Sequence, residues 1–174
     1  MDEGELRKQL EQHHAVCLGW TLNCCSDMPE LAEDVLQAVY LKILQGRANY
    51  HGRAAFKTWL FAVIRLTALA ERRRVWLRRL WLGRQEPEPD IQPPVGSDYL
   101  DRSERLDAFR KVLERLSTRQ REALHLVFYQ DLTLEEAAEV MGVSLGAVRQ
   151  HYERGKKNLR ERLDRSELFY ERGK

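Results

Sequence analysis

Arg149 and Gln150 stand near the start of a segment, SLGAVRQHYERGKKNLRERL, that runs from Ser144 to Leu163. A guanidinium donates two parallel hydrogen bonds to O6 and N7 of guanine, and a carboxamide pairs in the same way with adenine. Helical spacing places Glu153, Lys156, Lys157 and Arg160 on the face that carries Arg149 and Gln150, with Arg154 beside them. Long cations set further along such a helix suit phosphate oxygens. Ser144 and Arg149 to Lys157 therefore point to duplex DNA as a ligand. A second set lies upstream, in GRANYHGRAAFKTWLFAVIRLTALAERRRVWLRRLW. There Tyr50 and His51 share a stretch with Arg53, Lys57, Arg65, Arg72, Arg73 and Arg74. Cations that track phosphates beside rings that stack on unpaired bases are the means of binding single strands. Phe56, Trp59 and Val63 fall at core spacing, so their side chains read as packing. The sequence offers no set of nucleophile, base and acid, no phosphate loop and no metal cluster, so neither catalysis nor a cofactor is expected.

The downstream set needs two helices held at a fixed angle. Thr133 opens a TLEE capping box, and Ser144 caps a second helix eleven residues later. Between them Ala138 lets two helices cross closely, Gly142 permits a positive φ in the turn, and Val148 packs the second helix on the first. Tyr152 extends that apolar stripe. A plain helical hairpin with a charged surface would share some of these features. Caps in register with the small–Gly–apolar spacing favour a helix-turn-helix with its second helix in the major groove.

The remaining segments also show helical spacing, and no strand pattern or repeat is present, so the fold is expected to be all-α. Leu6, Leu10, Cys17 and Cys24 form one stripe. DMPE at 27–30 offers an Asp cap and an early Pro for a helix with Ala32, Val35, Leu36, Val39, Tyr40 and Ile43 on one face. Gly46 and Gly52 bracket a loop, and a third helix is predicted from near Ala54 to about Leu82. Four of the five prolines fall in RQEPEPDIQPPVGSD, residues 84–98, which reads as a linker. It separates an N-terminal domain, residues 1–83, from a C-terminal one, residues 99–174. In the latter, a helix from about Ser97 would use Leu106, Phe109, Val112, Leu113 and Leu116. STRQ at 117–120 would box the start of a helix buried through Leu124, Val127 and Phe128.

The net charge of +2 conceals segregation. Residues 1–46 carry 3 basic and 8 acidic groups, whereas residues 47–84 carry 10 basic and 1 acidic. One surface suits a basic partner and the other a polyanion. Cys17, Cys24 and Cys25 are an odd number, and a helix would hold Cys17 and Cys24 about 10 Å apart, too far for a disulfide, so they read as free, buried or half-buried thiols. A zinc site from His13, His14 and these thiols would require a break in the helix. The polar opening MDEGELRKQL is unlike a signal peptide, and no apolar run suits a membrane span, which predicts a cytoplasmic protein with no membrane insertion. A basic helix with Trp76, Leu77, Leu80 and Trp81 also fits a membrane surface, an alternative reading.

The order of these segments resembles a bacterial RNA polymerase sigma factor of the extracytoplasmic-function group. ELAEDVLQAVYLKIL looks like the helix that binds the polymerase clamp, and YHGRAAFKTWLFAVIR looks like the reader of the −10 element. LSTRQREALHLVFYQDLTLEEAAEVMGVSLGAVRQHYERGKKNLRERL looks like the −35 reader. The resemblance implies that Glu33, Asp34 and Gln37 dock on core RNA polymerase and that Ala48–Arg53 holds a flipped base of the promoter DNA. It implies an anti-sigma factor as a further partner. The 15 linker residues span roughly 50 Å, comparable to 15 base pairs. Where family members often carry Asn, this chain has Leu66, and Gln150, His151 and Gly155 are unusual in the recognition helix. The rival reading is a free-standing helix-turn-helix regulator whose first domain senses a signal or dimerises.

Overall fold

A computed structural model describes residues 2–26, 28–81, 111–113 and 115–164. The linker at 84–98, the helix predicted from Ser97 with Leu106 and Phe109, and the Asp27 cap lie outside these residues. The described chain is helical, with no strand.

Helix α1 (Glu3–Cys24) starts where the Asp2 carboxylate accepts from the Glu5 N–H. Helix α2 (Pro29–Leu44) follows, with Met28 at the cap and no side-chain capping bond. The early proline expected here, Pro29, stands in the first turn, where its missing N–H costs nothing. Helix α3 (Phe56–Trp81) completes the first domain. Its core joins Leu10, Cys17, Trp20, Val35, Val39, Leu60, Phe61 and Ile64. Trp20 stacks on Phe61 at 5.7 Å, and its indole N–H donates to the Phe61 carbonyl at 3.0 Å. All three cysteines are free and buried. Burial pushes the thiols of Cys17 and Cys25 up to about 12 and about 11, so both stay protonated and inert.

The second domain begins, after a helical fragment at 111–113, with α4 (Thr118–Leu124), which runs into a π-helical turn (His125–Tyr129). Two further helices follow, α5 (Leu134–Met141) and α6 (Leu145–Asp164). Two expectations fail here. The Ser117 hydroxyl does accept from the Gln120 N–H at 3.4 Å, but the Gln120 side chain accepts from Asn158 of α6 at 3.2 Å, tying α4 to α6. Phe128, expected in the core, is 77% exposed, and Leu126 is buried instead. The cause is the wide turn. The Gln130 N–H reaches back five residues to the His125 carbonyl at 3.0 Å, and that changes the phase of the apolar stripe.

The two domains pack on each other. Helix α5 lies against α3, and α4 touches α1.

Candidate nucleic-acid and polymerase interface

The helix-turn-helix forms as its sequence predicts. The Thr133 hydroxyl accepts from the Glu136 N–H at 3.1 Å, and the Glu136 carboxylate accepts from the Thr133 N–H at 2.9 Å. Gly142 ends α5 at φ 62°, the left-handed region where a side chain is strained. Its N–H donates to the Glu139 carbonyl, and the N–H of Val143 reaches Ala138. Ala138 and Val148 are buried at the crossing. The Ser144 hydroxyl accepts from the Ala147 N–H at 3.3 Å, so Ser144 is first of all a cap.

That packing leaves Arg149 and Gln150 exposed at the start of α6, with Glu153, Arg154, Lys156 and Lys157 exposed beyond them. Lys156 pairs with Glu153 at 2.9 Å and lies 4.6 Å from the Tyr152 ring centroid. Lys157 approaches Glu161 at 3.9 Å. Exposed pairs of this kind contribute little and exchange readily for phosphates. Gly155, which by propensity only weakens the helix, is buried. A β-carbon there would sit 3.1 Å from Leu124 and 3.3 Å from the Gln120 carbonyl, so the glycine lets α6 approach α4. Nothing in the local pattern of α6 announces this contact. The one sequence signal was its oddity within a basic helix.

The upstream set is divided. His51 and Arg53 are exposed on the loop before α3. Tyr50 is held: its hydroxyl donates to the Ala54 carbonyl at 2.7 Å, and its ring meets Phe56 and Trp59, each at 5.3 Å. This aromatic cluster shapes the loop, and Tyr50 is only half-exposed. Arg73 and Arg74 are exposed, while Arg72 donates to the Cys24 carbonyl at 3.2 Å. Arg74 also approaches Glu71 at 3.8 Å.

Lys57 and Arg65 are not free. The Lys57 ammonium donates to the Gln130 carbonyl at 2.7 Å. The Arg65 guanidinium pairs with Glu122 at 3.0 Å, and both side chains are buried, 6% and 3% exposed. Both partners come from the second domain. Leu66, next in α3, is 64% exposed.

On the acidic face, Glu33, Asp34 and Gln37 are all exposed on α2. Asp34 and Gln37 line a groove of about 430 Å³ with Leu31, Leu41, Arg74 and Arg78. An apolar floor edged by both signs of charge suits a helical protein surface. Among the described residues no group of three or more His, Cys, Asp or Glu could hold a metal. His13 bonds the Gln9 carbonyl, and His14 bonds the Tyr40 hydroxyl.

Residues 10–78 match Sigma-70 region 2, and residues 112–161 match Sigma-70, region 4. The chain is 32% identical over 139 residues to the RNA polymerase sigma factor CarQ of Myxococcus xanthus, covering 79% of this chain and 78% of that protein. The chain belongs to the extracytoplasmic-function group of RNA polymerase sigma factors. It is also 28% identical over 143 residues to the ECF sigma factor SigX of Bacillus subtilis, covering 79% and 74% of the two chains. The fold matches that of the sigma factor RpoE, solved with the anti-sigma factor NepR from Bartonella quintana. The TM-score is 0.77 at 23% identity, covering 93% of this chain and 98% of that one. As an alternative sigma factor, the chain directs promoter-specific initiation of transcription, which sets aside the free-standing regulator. No described helix of this sigma factor is long and apolar enough to cross a membrane.

Proposed function

We propose a division of labour between the two domains of this sigma factor, with residues 1–83 serving core polymerase and the −10 element, residues 99–174 the −35 element, and residues 84–98 joining them. Asp34 and Gln37 in their groove, with Glu33 beside them, dock on core RNA polymerase. His51, Arg53 and the Tyr50 cluster receive an unpaired base, and Arg72, Arg73 and Arg74 follow the phosphates of the upstream duplex. Lys57 and Arg65 join that surface once the second domain moves away. Arg149 and Gln150 read base edges of promoter DNA, while Arg154, Lys156 and Lys157 hold the backbone. The factor works in the cytoplasm without catalysis of its own, since the polymerase makes the bonds. An anti-sigma factor is a further partner, as NepR is of RpoE.

The observation that supports this reading most is the exposure of Arg149 and Gln150 on a helix whose opposite side is locked by Thr133, Gly142 and Val148. Its test is in vitro transcription with core polymerase. Arg149→Ala is expected to lower start-site-specific transcription by about tenfold or more, the worth of one bidentate base contact. Capture of core polymerase should be unchanged. Equal loss of both activities would refute the assignment.

A further inference from the structure

The seam between the domains lies on the α3 face that the sequence marks for nucleic acid. Besides apolar packing, three hydrogen-bonded contacts and one ring contact cross it. Glu122 of α4 takes the Arg65 guanidinium at 3.0 Å. The Gln130 carbonyl takes the Lys57 ammonium at 2.7 Å. The Glu136 carboxylate accepts from the Thr58 hydroxyl at 3.3 Å while also serving the Thr133 box. The His125 ring packs on Trp20 at 5.3 Å. Two of the acceptors, the Glu122 carboxylate and the Gln130 carbonyl, are oxygens held on cations of α3, where a phosphate oxygen would otherwise sit.

We propose that the second domain is a built-in competitor for the nucleic-acid face of α3, with Glu122 and the Gln130 carbonyl standing in for phosphates on Arg65 and Lys57. The inference deepens the proposed function and rests on its assignment of α3 to promoter DNA. In the closed chain Arg65 is inaccessible to any ligand, and Lys57 has given its shortest bond to the chain itself. Promoter binding and domain parting are then one linked equilibrium. A polyanion that takes Arg65 must displace Glu122, and whatever frees Arg65 from Glu122 raises affinity for the polyanion by the same factor.

The chemistry of the seam favours a reversible latch over a permanent core. A buried ion pair returns little net stability, because burying both charges nearly cancels their attraction. Glu122 is further shared with Arg119, whose guanidinium approaches its second oxygen at 3.5 Å.

The test uses the full chain, without polymerase, and a fluorescent mixed-sequence single strand of about 20 nucleotides. Small-angle scattering gives the dimensions of the chain. Glu122→Gln removes the carboxylate charge and leaves Arg65 buried without a counter-ion, so the domains should part and affinity for the strand should rise by about tenfold. Saturating the wild-type chain with the strand should expand it in the same way. Glu136→Gln keeps a capping-box residue and weakens only the Thr58 contact, so a smaller change in the same direction is expected. That variant and the wild-type titration decide the matter if Glu122→Gln fails to fold. Unchanged dimensions in both would overturn the latch and leave the α3 assignment standing. Parting without a gain in affinity would overturn the competitor and would also remove α3 as the nucleic-acid face.

Discussion

Gly155→Ala sets helix propensity against packing, and the structure decides the sign. In an exposed helix the change stabilises by about 1 kcal/mol, because glycine loses more backbone entropy on folding. Gly155 is buried, however, and the new methyl group would meet Leu124 at 3.1 Å and the Gln120 carbonyl at 3.3 Å. The leucine is itself packed in the core, and the carbonyl belongs to the backbone of α4. Neither is the loose end of a flexible side chain. Overpacking of this kind costs about 1–3 kcal/mol. The net expectation is destabilisation of up to about 2 kcal/mol. A second effect should accompany it. To relieve the contact, α6 must move away from α4, lengthening the 3.2 Å bond between Asn158 and Gln120. Urea unfolding of the full chain at equilibrium measures the first effect. Amide exchange of α4 and α6 measures the second, with faster exchange expected at the crossing. A more stable variant with unchanged exchange would show that α6 has room at Gly155, and the account of that crossing would fall.

Replacing Arg73 and Arg74 with Gln should reduce the salt slope of promoter-complex formation by about one to two units; an unchanged slope would argue for a partner other than phosphate. Because Arg72 is tied to the Cys24 carbonyl, its replacement should change the slope less than that of Arg73. Reversing charge at Asp34 together with Glu33 should weaken capture of core polymerase, measured by pull-down, and undiminished capture would remove α2 from that role. His125 gives a pH signature. Burial, aided by the Lys57 charge, lowers its pKa from 6.5 to about 4. Its neighbours are Lys57, the Gln130 amide at 3.3 Å and the rings of Trp20 and Tyr129. The folded chain holds His125 neutral, while the unfolded chain takes up the proton near the ordinary value. Stability is thus full above about pH 6.5 and falls as the pH drops toward 4, by about 3 kcal/mol at most. Urea midpoints across that range should lose most of this slope in His125→Gln, and an identical slope in the variant would show that other groups carry it.

Whatever was local in this chain was legible before any fold was known. The Thr133 box, the Gly142 turn and the Ser144 cap each rest on a few neighbouring residues, and each forms in the structure. The stripe of α2 was also readable, because a helix repeats its buried face every three to four residues, whereas in α3 the expected Phe56, Trp59 and Val63 are half-buried and Phe61, Ile64 and Ala68 take the fully buried places. Part of the exposed candidate site, Arg149, Gln150, Glu153, Arg154, Lys156 and Lys157, follows in the same way, since it is what the buried side of α6 leaves outside.

What escaped the sequence depends on partners far along the chain. Phe128 belonged to the predicted stripe until five-residue bonding changed the phase of its turn. Gly155 read as a weakness until Leu124 was found against it. Arg65 read as a free cation, yet 57 positions separate it from the carboxylate that buries it. Spacing along one helix sets which side chains share a face; it carries no record of which other helix that face will meet. The amino-acid sequence by itself determined two helical modules and the chemistry of their surfaces. Only the tertiary structure closed one module over the other, because contact energies between distant segments exist only once the chain has folded.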